Sequence, residues 1–186
     1  MIIELSNYFN NLSEIYSEFL QNNKQVIRKL DKEIKNTILN NGIFIFAGNG
    51  GSFADSLHMS GELTGSLINQ NRKPIKSIVL GSNPASLTAI SNDFDYDSFM
   101  TREIIPYMTD KNKLIIIFTT SGSSKNIIKM ISLKGLNKKN TFVITGKNFN
   151  LDLKKVNILK INSTFTPNIQ EIYKIFMHSI LIQNNL

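Results

Sequence analysis

The sequence predicts an α/β fold: a helix–sheet–helix sandwich of three layers around a doubly wound, five-stranded parallel sheet, with an N-terminal helical extension. Three observations predict it. From residue 43 onward, five short apolar runs alternate with five helical patterns, and repeated strand–helix units imply parallel strands with crossover helices. The runs are almost continuously apolar, as strands covered on both faces must be. The first run breaks at Gly48-Asn49-Gly50-Gly51-Ser52 and passes directly into a helical pattern. Strand, glycine turn, helix is a phosphate-binding layout, because glycines let the backbone approach an anion that the new helix's N–H groups face.

Residues 2–40 precede the alternation and carry two helical stripes. Leu5, Tyr8, Phe9, Leu12, Ile15, Tyr16 and Phe19 form the first, and Val26, Ile27, Leu30, Ile34, Ile38 and Leu39 the second. Gln21-Asn22-Asn23 marks a bend or break between them, and Asn40-Asn41-Gly42 is a stop signal. Neither stripe holds a cluster of chemical groups, so packing or oligomerisation is their expected role. Strands are expected at 43–47, 75–80, 114–119, 141–145 and 158–161. Helices are expected from Phe53 or Ala54 to 68, and over 84–91, 97–108, 125–133 and 168–184. Pro74, Pro84, Pro106 and Pro167 fall near these boundaries. No linker or repeat divides the chain, so 1–186 reads as one domain, with 1–42 as helices and 43–186 as the α/β core.

Composition excludes several functions. The chain is 186 residues long, enough for a sizeable core. It has no cysteine, which removes disulfides, thiolate catalysis and cysteine zinc sites and fits a cytoplasmic protein. It shows no signal-peptide pattern and no apolar run near membrane-span length, so no membrane partner is expected. The net charge of +7 comes from scattered lysines, with short clusters at Lys138-Lys139 and Lys154-Lys155 and no interleaved aromatics. A nucleic-acid ligand is therefore not expected, whereas a small phosphorylated molecule would use the same positive potential. A lysine-rich surface without an anionic partner is the plainer reading.

Two loops carry the chemical signal. Gly48–Ser52 fits neither the dinucleotide fingerprint nor the P-loop. Thr119-Thr120-Ser121-Gly122-Ser123-Ser124 also follows a strong strand and opens a helix. Alone it reads more readily as an ordinary capped turn. Two such loops at the carboxyl ends of strands in one sheet are where open α/β folds bind ligands. Past the first loop, His58 and Glu62 stand at i, i+4 on one helix face, suited to proton transfer or metal ligation, or to an ordinary surface contact. The other histidine, His178, lies on an otherwise apolar helix with Gln170 and Glu171 near its start, where polar residues suit the helix dipole. Asn92-Asp93 follows a helical pattern and reads either as its cap or as part of a site.

These segments together resemble one family. GNGGSFADSLHMSGELTG (48–65), SNDFDYDSFMTRE (91–103), TTSGSSKNII (119–128), VITGK (143–147) and NIQEIYKIFMHSIL (168–181) resemble, in order, the sugar isomerase (SIS) domain family and its phosphoheptose isomerase branch. The resemblance implies a flavodoxin-like SIS fold and an aldose–ketose isomerase. Its reaction would convert sedoheptulose 7-phosphate to D-glycero-D-manno-heptose 7-phosphate through an enediol, for lipopolysaccharide or capsule heptose. It implies that Asn49, Gly50 and Gly51 contact substrate. Ser52, Thr119, Thr120, Ser121 and Ser124 would hold phosphate and sugar oxygens, and Asn92 and Asp93 sugar hydroxyls. Glu62 and His178 would be the acid–base pair, with Glu62 and Gln170 also at the substrate.

His58, Glu62, Gln170 and His178 match positions that bind zinc in some members, which implies one Zn2+ per subunit. A homotetramer with active sites at subunit interfaces is implied as well. Gln170 and His178 are eight residues apart, about 12 Å along one helix. Either the two converge from different subunits or only part of the set binds metal. Ser66 replaces an arginine usual in the family, unless Arg72 or Lys73 takes its place; Thr119 and Ser123 are milder departures. A second reading is a non-catalytic relative that binds a phosphosugar or a replication initiator protein. A third is isomerisation of another phosphosugar. The retained Glu62, Gln170 and His178 favour the enzyme, because a scaffold has no chemical use for all three.

Overall fold

A computed structural model of the chain describes residues 2–65, 67–136, 139–149 and 156–186, Ile2 by its backbone alone. Ser66, Lys138, Lys154 and Lys155 lie outside the described residues.

The chain starts with α1 (Ile2–Asn22) and α2 (Lys24–Leu39). The break between them falls at Asn23, whose side chain donates to the carbonyls of Phe19 and Lys160 and accepts the Lys160 N–H. That residue is buried, so the bend is fixed by long-range bonds and not by local sequence alone. The α2 helix ends at Asn40, after which Asn41 adopts a left-handed φ of 51°.

Five strands follow: β1 (Ile43–Ala47), β2 (Ser77–Val79), β3 (Lys113–Thr119), β4 (Thr141–Thr145) and β5 (Asn157–Lys160). All pair in parallel, in the order β2-β1-β3-β4-β5. This is the flavodoxin-like order, whose switch point lies between β1 and β3. Alternate residues face opposite layers. Phe44, Phe46, Leu114, Ile116 and Phe118 pack with residues of α1, α2, α3 (Gly51–Thr64) and α7 (Thr166–Gln183). Ile45, Ala47, Ile115 and Ile117 pack with α5 (Phe99–Ile104) and α6 (Lys125–Ile131). The expected three layers and nearly all-apolar strands are therefore present.

Boundaries differ from expectation by a residue or two at several elements and more widely at three. The β2 strand covers three residues of the six expected, because as an edge strand it pairs only with β1. The helix expected over 97–108 is instead a 3-10 turn at Tyr96–Ser98, α5, and a 3-10 turn at Ile105–Tyr107. Pro106 lacks the N–H that would continue an α-helix. The α3 helix runs from Gly51 to Thr64 where a helix from Phe53 or Ala54 to 68 was expected; it starts early because glycine carries no helical signal in a sequence. The α4 helix (Pro84–Asp93) is capped by Asn83, which accepts the N–H groups of Ala85 and Ser86.

Candidate active site

The two glycine–serine loops leave the carboxyl ends of β1 and β3, which are neighbours, and so sit side by side at the switch point. Gly48 must be glycine, since a Cβ there would meet the Ser52 backbone at 2.6 Å. Gly50 has a left-handed φ of 54° and turns the chain into α3. The Gln170 amide packs on Gly51, where a Cβ would come within 2.1 Å of its Nε2. This loop is therefore shaped to keep its backbone bare, while the N–H groups of Phe53 and Ala54 turn back to the carbonyl of Gly50.

Ser52 is buried, and its hydroxyl is 2.8 Å from the Tyr173 hydroxyl on α7. What Ser52 offers the loop surface is thus its backbone. Burial pushes the Tyr173 pKa up, against the Ser52 hydrogen bond, so it stays a neutral phenol. Burial likewise raises the Asp55 pKa, countered by Lys174, whose Nζ stands 4.0 Å from Asp55 Oδ1. Asp55, Tyr173 and Lys174 form a polar base under the first loop that sequence reasoning missed. Their partners come from a helix more than 100 residues away, which no local pattern reveals.

In the second loop, Thr119 is buried and its hydroxyl accepts the Gly122 N–H at 3.2 Å. Ser121 accepts the Ser123 N–H and hydroxyl. Ser124 is the N-cap of α6, yet its side chain makes no capping bond. Thr120 and Ser121 line a cavity of about 320 Å3 with Ser123, Asn148, Ser163, Thr164 and Thr166. The last four were not singled out from sequence, although Ser163–Thr166 leads into a helix as the other hydroxyl loop does. A larger cavity, about 600 Å3, lies at the β2 edge between α4 and α5. Its carboxylate, Glu103, is already engaged by the Gly81 N–H and the Ser86 hydroxyl. The hydroxyl-lined cavity is the better match to a polar ligand.

Asn92 and Asp93 are the exposed last residues of α4, with Asn92 Nδ2 donating to Asp93 Oδ1 at 2.9 Å. The turn that follows reaches the first loop, where the Tyr96 hydroxyl donates to Asn49 Oδ1 at 3.2 Å.

Farther along α3, His58 and Glu62 meet His178 of α7. His58 Nε2 lies 3.0 Å from His178 Nε2 and 3.1 Å from Glu62 Oε1. Burial, followed by the neighbouring His58, lowers the His178 pKa and keeps its ring neutral over more of the pH range. His58 Nε2 can carry a single proton, so it cannot donate to both neighbours. Two imidazole nitrogens and a carboxylate oxygen, all within 4.8 Å of one another, are a zinc-type donor set. Donors about 3.3 Å apart would suit a tetrahedral ion, and three protein ligands leave a position open. The residues therefore fit the expected metal. Gln170, the fourth expected ligand, is placed elsewhere, against Gly51. The rise of α7 separates it from His178 by about 12 Å, so one chain brings three of the four together. Arg72 does not stand in for the arginine expected near residue 66 as a free cation. Its guanidinium donates to the carbonyls of Glu62 and Leu63 and closes the end of α3.

The SIS domain family model matches residues 7–144. A phosphoheptose isomerase of Aliarcobacter butzleri is 31% identical over 93% of this chain and 92% of its own. A probable phosphoheptose isomerase of Thermoplasma acidophilum is 35% identical over 86% of each. The chain belongs to the phosphoheptose isomerases of the SIS domain family. Solved structures share the fold: a phosphoheptose isomerase from Francisella tularensis aligns with TM-score 0.80 at 21% identity, over 96% of this chain and 95% of that one. One from Neisseria gonorrhoeae aligns with TM-score 0.78 at 21% identity, over 98% of both.

Proposed function

We propose that this chain, an aldose–ketose isomerase, interconverts sedoheptulose 7-phosphate and D-glycero-D-manno-heptose 7-phosphate, in the synthesis of heptose for lipopolysaccharide or capsule. The observation that carries this reading is the convergence of His178 with His58 and Glu62, which stand on the helix that opens from the first glycine loop. Moving a proton between C1 and C2 through a cis-enediol needs a base at carbon and an acid at oxygen. Glu62 carries the proton between the two carbons. His178, held neutral by its surroundings, exchanges the proton of the substrate oxygens. The phosphate sits at the Thr119–Ser124 loop with Thr120, Ser121 and Ser124, and Asn49, Gly50, Gly51 and Gln170 hold the chain of the sugar. Asn92 and Asp93 meet its hydroxyls. Binding energy at the phosphate, remote from the reacting carbons, positions them.

As the alternative to proton exchange by His178, the residues His58, Glu62 and His178 would hold one Zn2+, which supplies Lewis-acid polarisation of the carbonyl oxygen when bound. Gln170 then serves the substrate. A homotetramer is supported by apolar side chains left exposed on α1, Ile3 at 78%, Leu5 at 65% and Phe9 at 67%, and we place the oligomer contact on 1–42. The cytoplasm suits a cysteine-free enzyme of a sugar phosphate; no helix among the described residues is long and apolar enough to cross a membrane. The non-catalytic reading leaves the converged acid–base groups without a task.

The test is an NMR time course of the purified protein with sedoheptulose 7-phosphate, with added zinc or with chelator. An aldoheptose 7-phosphate is expected, faster with zinc. Binding of the sugar phosphate without turnover in either arm would overturn the assignment.

A further inference from the structure

Asn49 is the loop residue whose side chain crosses from the first loop to the helix that follows the second. Its Nδ2 donates to Asn126 Oδ1 at 2.9 Å, and Asn126 Nδ2 donates back to Asn49 Oδ1 at 2.9 Å. Asn126 is buried, 1% exposed, in the first turn of α6. Its Oδ1 also accepts the backbone N–H of Ile127 at 2.9 Å. A backbone N–H is always a donor, so this contact settles which end of the Asn126 amide is oxygen.

The direction passes down the chain of bonds. Asn49 must turn an N–H toward Asn126 Oδ1 and its carbonyl toward Asn126 Nδ2. The Tyr96 hydroxyl donates to the same carbonyl. Both lone pairs of the Asn49 carbonyl are then filled, and one N–H of its amide is left over. The Tyr96 turn is itself tied to α6, since Lys129 Nζ donates to Ser98 Oγ at 2.7 Å and lies 3.3 Å from Asp95 Oδ2. One helix therefore fixes both groups that grip Asn49.

We propose that Asn126 and Tyr96 are positioning residues that lock Asn49 as an obligate hydrogen-bond donor toward the phosphorylated sugar. The proposal rests on the sugar-phosphate reading above. An amide free to turn over would offer its carbonyl oxygen to an anionic, oxygen-rich ligand in one of its two orientations. The clamp removes that orientation before substrate arrives, so its effect falls on binding.

Tyr96→Phe removes the hydroxyl and keeps a ring that is 53% exposed, so the fold is not at stake. Its KM for sedoheptulose 7-phosphate should rise about three- to tenfold, the worth of one hydrogen bond, with kcat changed less than about twofold. In an Asn49→Ala background the same substitution should leave KM where it is, since the carbonyl that the hydroxyl bonds is gone. A second measurement needs no substrate: hydrogen exchange of the Asn49 side-chain amide by NMR in the full chain. One amide proton should be protected in the wild type and lose protection in Asn126→Ala. An unchanged KM in Tyr96→Phe, an equal KM effect with and without Asn49, or an unprotected Asn49 amide in the wild type would overturn the clamp. A wild-type protein that turns over no sugar phosphate yet protects the Asn49 amide sinks the functional reading alone and leaves the clamp supported.

Discussion

The two ends of the site are held in different ways. At the loop end, the innermost groups are fixed by something rigid. Thr119 and Ser52 are buried, Asn126 is anchored by a backbone N–H, and Gly51 is covered by Gln170. At the histidine–glutamate end, the three groups touch chiefly one another, and the His58 and Glu62 side chains are 47% and 22% exposed. A binding end can be pre-organised from backbone and buried polar pairs, which keep their geometry at no cost when ligand arrives. Under the proposed mechanism the histidine–glutamate end transfers the proton, which needs groups whose charge can change as the proton moves. The contrast predicts that damage at one end should lower turnover, and damage at the other should lower affinity or stability.

The largest effect is expected from His178→Ala. Loss of a proton-transfer group costs about 10²–10⁴ in rate, and turnover followed by NMR should fall by that much. Metal content measured on the same preparation should fall with it, because two of the three donors cannot hold zinc well. Retained turnover would place the chemistry elsewhere.

Next comes Gly122→Ala in the second loop. The residue has a left-handed φ of 66°, and an added Cβ would lie 2.2 Å from the buried Phe149 ring. Strain and clash together should cost about 2–3 kcal/mol, seen as a lower melting temperature. An unchanged melting temperature would mean that the loop is looser than its contacts imply.

Gly51→Ala sharpens the comparison from the other side. Its Cβ would displace only the Gln170 amide, a movable side chain. The effect should appear as a rise in KM of about tenfold or less, with little change in melting temperature. A fall in kcat at constant KM would move Gln170 toward the reacting carbons.

The smallest effect concerns pH. The Asp55 pKa is raised in the folded chain, chiefly by burial. The folded state therefore holds this proton above the unfolded value of 3.8, and stability falls as pH rises from there through the raised value, then levels off. Asp55→Asn should remove that part of the slope and lift the melting temperature slightly at neutral pH. A steeper slope in the variant would contradict the assigned direction.

Much of this contrast was legible in the sequence, but unevenly. The parallel sheet could be read because its strands are local apolar runs. The loops could be read because glycine and serine clusters announce turns. His58 and Glu62 could be paired because i, i+4 spacing is itself geometry. What could not be read were the supports. Asn126 for Asn49, Tyr173 for Ser52 and Lys160 for Asn23 are joined across 77, 121 and 137 positions, and only folding brings them together. The α3 start was missed for a different reason: Gly51 is helical because its neighbours hold it there, against its own propensity. The separation of Gln170 from His178 was likewise supplied in advance by simple helix arithmetic.

The most direct test is Glu62→Gln, measured twice on one preparation: sugar-phosphate affinity by calorimetry and turnover by NMR. The division of labour predicts that affinity for sedoheptulose 7-phosphate stays within about threefold of wild type, while turnover falls by about 10²–10⁴. Turnover close to wild type would contradict it, since the proton would then be carried by a group other than Glu62.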